Sequence, residues 1–152
     1  MEIPNLNKHN KEEYPPMHTA EHILNQTMIR IFGCERSRKT HIERTKSKLD
    51  YNLPKCPTSE QIMEIEQQVN KIIAQDLPVT MEYMPQQKAQ NQFDLKKLPD
   101  DASEILRIVR IGDYDVCPCI GTHVKNTSEI GRFHISSTRF QDGLFRIVFR
   151  LN

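Results

Sequence analysis

Two pairs of soft metal ligands, set far apart in the chain, constrain the fold more than any other feature. His18 and His22 stand at i and i+4 in Met17-His-Thr-Ala-Glu-His-Ile-Leu24, and Cys119 and His123 repeat that spacing in Cys119-Ile-Gly-Thr-His-Val124. If 17–32 is a helix, its turn puts both imidazoles of the first pair on one face, free to share an ion. Gly121 and Thr122 make a tight turn in which the second thiolate and imidazole converge. A chain that uses both pairs on one transition metal must fold its beginning onto a turn near its end. Thiolate with imidazole favours zinc. Cys117 is a neighbour of the set rather than a member, because its spacing to His123 is longer.

A length of 152 residues fits one domain with a real core. That domain is read as 17–152, behind a lead-in 1–16 with little apolar content. There is no apolar run of signal-peptide length at the start and no stretch near the roughly 20 residues of a membrane span, so a soluble, cytoplasmic protein without membrane contact is expected. Cys34, Cys56, Cys117 and Cys119 are too few and too unevenly spread for a disulfide framework. Reduced thiols keep thiolate available for metal.

Apolar spacing predicts the elements. Ile23, Leu24, Thr27, Met28 and Ile31 give the first helix a buried stripe, stopped by Gly33. Residues 48–53 alternate as a strand or the end of a hairpin. Thr58 with Gln61 forms a capping-box pattern, and Ile62, Ile65, Val69, Ile72 and Ile73 follow as a helical stripe that ends at Leu77-Pro78. Residues 79–84 read as a strand, 86–94 as a short helix or loop, and 95–103 as a polar connection. Four further strands are expected at 105–111, 114–116, 130–136 and 144–151, parted by Gly-Asp or Asp-Gly turns. Helices first and strands later predict an α+β, two-layer sandwich of an antiparallel sheet packed against two long helices.

A net charge of +1 neither requires nor excludes nucleic acid. Local charge says more: Arg36, Arg38, Lys39, Arg44, Lys46 and Lys48 crowd one segment, and Arg132, Arg139, Arg146 and Arg150 cluster near the end. Such residues can contact a phosphate backbone, or simply form a solvated face. His18-Thr-Ala-Glu-His22 also matches the His-x-x-Glu-His pattern of the inverted zinc peptidases, in which Glu21 would be the general base.

Taken together, His18-Thr-Ala-x-His22-Ile-Leu, Cys119-x-Gly-Thr-His123-Val and the run from Thr127 to Ile135 resemble the editing domain shared by alanyl- and threonyl-tRNA synthetases and by the short stand-alone AlaX-type deacylases. The likeness runs in order from about Met17 to the C-terminus. Ile120 fills a position that the alanyl type usually gives to glycine, which narrows the turn.

The resemblance implies hydrolysis, in trans, of the ester joining a wrong amino acid to the 3′-terminal ribose of a tRNA, with Ser-tRNA(Ala) as the expected substrate. It implies a zinc site of His18, His22, Cys119 and His123, with His18 and His22 as catalytic candidates. The basic segment from Arg36 to Lys48 would guide the acceptor end of the tRNA. Selection for serine needs groups that hydrogen-bond its hydroxyl, for which Thr19, Thr40 and Thr122 are candidates, although each can equally cap a helix or brace a turn. Two other classes stay open: a non-catalytic, zinc-stabilised RNA-binding module, and the zinc peptidase.

Overall fold

The structure, a computed structural model, describes residues 14–89 and 105–152. Residues 1–13 of the expected lead-in, residues 90–94 of the expected helix or loop, and the expected connection 95–103 lie outside them.

Pro15 and Pro16 open the first helix, α1 (Pro15–Phe32), earlier than expected at Met17. Proline suits that first turn, where its missing N–H costs no hydrogen bond and its φ is already helical. Gly33 ends α1 in the left-handed region at φ 67° and returns its N–H to the Ile29 carbonyl. The chain then makes a hairpin of β1 (Lys39–Ile42) and β2 (Ser47–Asn52). The second helix, α2 (Ser59–Ala74), begins with the expected reciprocal bonds between Thr58 and Gln61. Its Ile65, Val69, Ile72 and Ile73 are buried. β3 (Val79–Pro85) and a four-residue helix, α3 (Gln86–Ala89), follow. From residue 105 come β4 (Ile105–Ile111), β5 (Asp115–Pro118), a 3-10 turn at Thr127–Ile130, β6 (Phe133–Gln141) and β7 (Leu144–Leu151).

The α+β class stands, but the expected single sheet is two. One has the order β1-β2-β7-β6 and the other β3-β4-β5, and every pairing is antiparallel. Helices α1 and α2 share the main core with the inner face of the four-stranded sheet, where Leu49, Tyr51, Phe145, Ile147 and Phe149 are buried. A smaller cluster of Met84, Ala89, Leu106 and Ile108 supports the three-stranded sheet. The strand expected at 130–136 starts later and runs further. Ile130 belongs to the 3-10 turn, and Gly131 at φ 87° passes so close to the last residue that a Cβ there would sit 2.4 Å from the Asn152 carbonyl oxygen. No described helix is long and apolar enough to cross a membrane.

Candidate metal centre

Helix α1 serves two sides of the molecule. Met17, Leu24 and Met28 join the main core, while His18 and His22 face the segment that leaves β5. One nitrogen from each of His18, His22 and His123 gathers with the Cys119 sulfur so that all four atoms lie within 4.8 Å of one another. The three rings pack at centroid distances of 5.1 Å (His18 to His22), 4.4 Å (His18 to His123) and 4.6 Å (His22 to His123). The sequence pairs therefore meet.

Each imidazole is held by its outer nitrogen. His18 Nδ1 donates to the Thr122 carbonyl at 3.3 Å, which leaves Nε2 to face Cys119 Sγ at 3.4 Å. His22 Nδ1 lies 3.2 Å from Cys117 Sγ and 3.6 Å from Asp115 Oδ2. His123 Nδ1 lies 2.9 Å from Thr19 Oγ1, which also accepts the Val124 N–H at 3.2 Å. Among the described residues, His123 Nε2 is the buried side-chain polar atom with no hydrogen-bond partner. A buried nitrogen without a partner is costly unless something else binds it. Outer nitrogens tied to oxygen or sulfur, with inner nitrogens converging, is how histidines are presented to a metal. These four side chains could hold a metal ion.

Electrostatics agrees with that use. Burial brings the His123 imidazole down to about 4, against the pull of the Cys119 sulfur, so its inner nitrogen keeps a lone pair at neutral pH. Burial alone would raise the Cys119 thiol, yet cationic His22 and the adjoining His123 and His18 rings hold it well below its ordinary range. For His22, burial opposes the charge, but the sulfurs of Cys117 and Cys119 and the bond to Asp115 raise it well above an ordinary imidazole. The protein alone thus keeps a proton on His22 to balance thiolate. A bound cation would take over that role.

A supporting layer was not foreseen in the sequence. Arg36 grips both oxygens of Asp115 at 2.7 and 3.2 Å, and Gln26 adds a bond of 2.9 Å. Burial disfavours the Asp115 charge, but His22 and Arg36 hold its carboxyl well below the usual carboxylate range. His22, Asp115 and Cys117 also form a second close trio. With both Asp115 oxygens engaged by Arg36, it orients His22 from behind. On the other side, Arg107 of β4 donates from Nε to the Cys119 carbonyl at 2.9 Å and from Nη2 to the Gly121 carbonyl. The Gly121 N–H points at Cys119 Sγ, at 3.4 Å. The ligand loop is clamped through its backbone, and nothing in local periodicity marks Arg107 for that task.

The other expected site residues sit on several elements. Thr19 is fully buried with its hydroxyl held between His123 and Val124, where it braces a ligand ring. Thr40 lies half-buried on β1 opposite Leu49. Thr122 is exposed beside the cluster. Glu21 is buried, with its carboxylate 3.6 Å from His18 Nε2. Of the expected RNA-facing cations, Arg36 turns inward to Asp115, because a buried carboxylate requires a partner. Arg38 pairs with Glu35 and Arg44 stacks over Tyr14. Lys46 sits half-buried in the hairpin turn. Lys39 and Lys48 lie on the outer face of the four-stranded sheet.

Residues 106–148 match the family model described as the threonyl and alanyl tRNA synthetase second additional domain. That stretch contains Cys119 and His123. Similarity to curated proteins reaches back over the first pair of histidines. The alanine–tRNA ligase of Methanococcus aeolicus is 35% identical over 149 residues, which is 95% of this chain and 16% of that protein. The alanine–tRNA ligase of Staphylothermus marinus is 36% identical over 135 residues, covering 86% and 15%. For that of Treponema denticola the figures are 31% over 125 residues, 82% and 21%. The chain therefore spans about a fifth or less of the length of these relatives.

Proposed function

Because the chain belongs to the family of the second additional, or editing, domain of the threonyl and alanyl tRNA synthetases, we propose that it hydrolyses the ester of mischarged aminoacyl-tRNA, with Ser-tRNA(Ala) as substrate. The observation that carries this reading is the convergence of three braced imidazoles and one thiolate, including the unpartnered inner nitrogen of His123.

Zinc suits the donor set. In a tetrahedral zinc site with bonds of about 2.0 to 2.3 Å, ligand atoms stand about 3.3 to 3.8 Å apart. The His18 Nε2 to Cys119 Sγ distance of 3.4 Å already lies in that span. When bound, zinc would supply positive charge that favours attack on an ester carbonyl and steadies the developing oxyanion.

The rest falls to the chain's own groups. Four protein ligands would close a tetrahedral site, so in this reading one histidine would stand off and hold the attacking water by a hydrogen bond, in preference to an expanded zinc shell or a metal that only shapes the pocket. Asp115 and Cys117 hold His22 in place, and the Thr122 carbonyl holds His18. Arg107 fixes the loop that carries Cys119 and Thr122. Thr122, next to His123 in the chain and exposed, is our candidate for pairing with the serine hydroxyl, a pairing that alanine would lose. The work is assigned to the cytoplasm, where tRNA is charged.

The test is to incubate the zinc-loaded protein with Ser-, Gly- and Ala-charged tRNA(Ala) and with Ser-charged tRNA(Thr), with and without chelator. Release of serine from Ser-tRNA(Ala), sparing of Ala-tRNA(Ala), and loss on chelation with recovery on added zinc are expected. A folded, zinc-loaded protein that binds tRNA but cleaves no ester would leave the non-catalytic RNA-binding module in its place.

A further inference from the structure

The outer face of the four-stranded sheet collects positive charge from two distant parts of the chain. Strand register sets Lys39, Asp50, Arg146 and Arg139 in one row across β1, β2, β7 and β6. Lys48 lies in the next outward row, and Arg150 lies further along β7. Alternation turns all of them away from the buried Leu49, Phe145, Ile147 and Phe149. Asp50 accepts two bonds from Arg146, at 2.8 and 3.1 Å. Asp142, in the turn after β6, lines a cavity with Lys39, Arg139 and Arg146. Five cations thus meet Asp50 and Asp142 here, while Glu43 is taken up by His41 and Glu66 by His134 beside them, in a chain whose total net charge is only +1.

Two details point to a bound polyanion. Arg139 and Arg146 are direct cross-strand partners, and while Asp50 offsets Arg146, Arg139 bonds the neutral Gln141, so an anion lying across the pair would relieve the remaining like-charge contact. The side-chain charges of Lys39, Lys48 and Arg150 make no ion pair or hydrogen bond with any described residue, although carboxylates elsewhere pair with Arg36, Arg38 and Arg110. At strand spacings of about 4.8 Å and rises of about 3.4 Å per residue, the row across four strands and the step from Arg146 to Arg150 each span roughly 14 Å. A flat basic patch of that size meets several successive phosphates of a nucleic-acid backbone, which carries one per about 3.4 Å of helix axis on each strand.

We infer that this sheet face docks the sugar–phosphate backbone of tRNA. The inference rests on the reading of the chain as acting on aminoacyl-tRNA. It assigns the contact to the body of the RNA, since the sheet and α1 stand between this face and the four ligands. Its recognition is electrostatic and independent of base sequence.

The test uses deacylated tRNA as the probe, with binding followed by fluorescence anisotropy from low to high salt. The combined variant Lys39→Glu, Lys48→Glu and Arg150→Glu should bind about ten-fold or more weakly, and its log–log salt slope should be shallower by about 2 to 3. Circular dichroism and zinc content report whether it folds. The neutral set Lys39→Gln, Lys48→Gln and Arg150→Gln should also flatten the slope if the reversal does not fold. Wild-type affinity and slope in the folded variants would overturn the proposal, as would a wild-type protein that binds anionic lipid vesicles but not tRNA. The probe carries no ester, so failure of the wild type to deacylate any tRNA would strike the deacylase reading without altering this measurement.

Discussion

The four-stranded sheet and the ligand loop are neighbours of α1, yet they are held by different forces. On the sheet side, Phe145, Ile147 and Phe149 are buried against Leu49, Tyr51 and both long helices, with Phe133 and Phe149 at a centroid distance of 4.8 Å. Contacts of that kind are non-directional and tolerate exchange of one apolar residue for another of similar volume. On the loop side, the hydrophobic cluster is small, and Arg107, Arg36, Gln26 and Thr19 fix the backbone and the rings by directed bonds. The difference separates stability from chemistry. Losses on the sheet should appear in the folding equilibrium, and losses on the loop should appear in metal affinity and activity.

Breaking the ligand set should have the largest effect. Cys119→Ser and His22→Ala are expected to abolish both stoichiometric zinc binding and deacylation while circular dichroism keeps its helical signal. Metal analysis alongside turnover of Ser-tRNA(Ala) checks this, and full activity without metal would refute the division. The sheet side gives the converse. Phe149→Ala should cost about 3 to 5 kcal/mol in denaturant unfolding, while the fraction that remains folded keeps its zinc affinity. A milder change is expected one layer behind the ligands. Asp115→Asn removes the charge that braces His22 and should weaken zinc about 10- to 100-fold, read by competition with a chelator, with fold retained.

The smallest effect concerns protons. His22 is raised well above its ordinary range in the protein alone, so zinc must displace a proton that a normal imidazole would already have lost at neutral pH. Affinity should therefore fall as pH is lowered, with roughly one or more protons released per zinc at pH 7. Calorimetry in two buffers of different ionisation enthalpy measures that release. Its absence would mean that His22 is already neutral or does not bind.

The same contrast explains what was legible in the chain. The ligand pairs were readable because metal chemistry demands particular atoms at short spacings, and both pairs survive as local motifs around His18 and Cys119. Helix α2 was readable from its Thr58 and Gln61 box and its stripe of isoleucines. The split into two sheets was not, because pairing of β2 with β7 is long-range and no local pattern encodes it. The outer end of β6 is exposed and polar, so it lacks the alternation that marks a strand. Arg36 read as one more surface cation, and only the approach of Asp115, far along the chain, turns it inward. The contact between Thr19 and His123 joins distant parts of the chain and is likewise absent from any local pattern.

The most direct measurement is zinc-edge X-ray absorption on the zinc-loaded protein. His18, His22, His123 and Cys119 should give a shell of three nitrogens at about 2.0 Å and one sulfur at about 2.3 Å, with a water oxygen replacing a nitrogen if one histidine stands off. Two sulfurs, which would bring Cys117 into the set, or none at all, would contradict it.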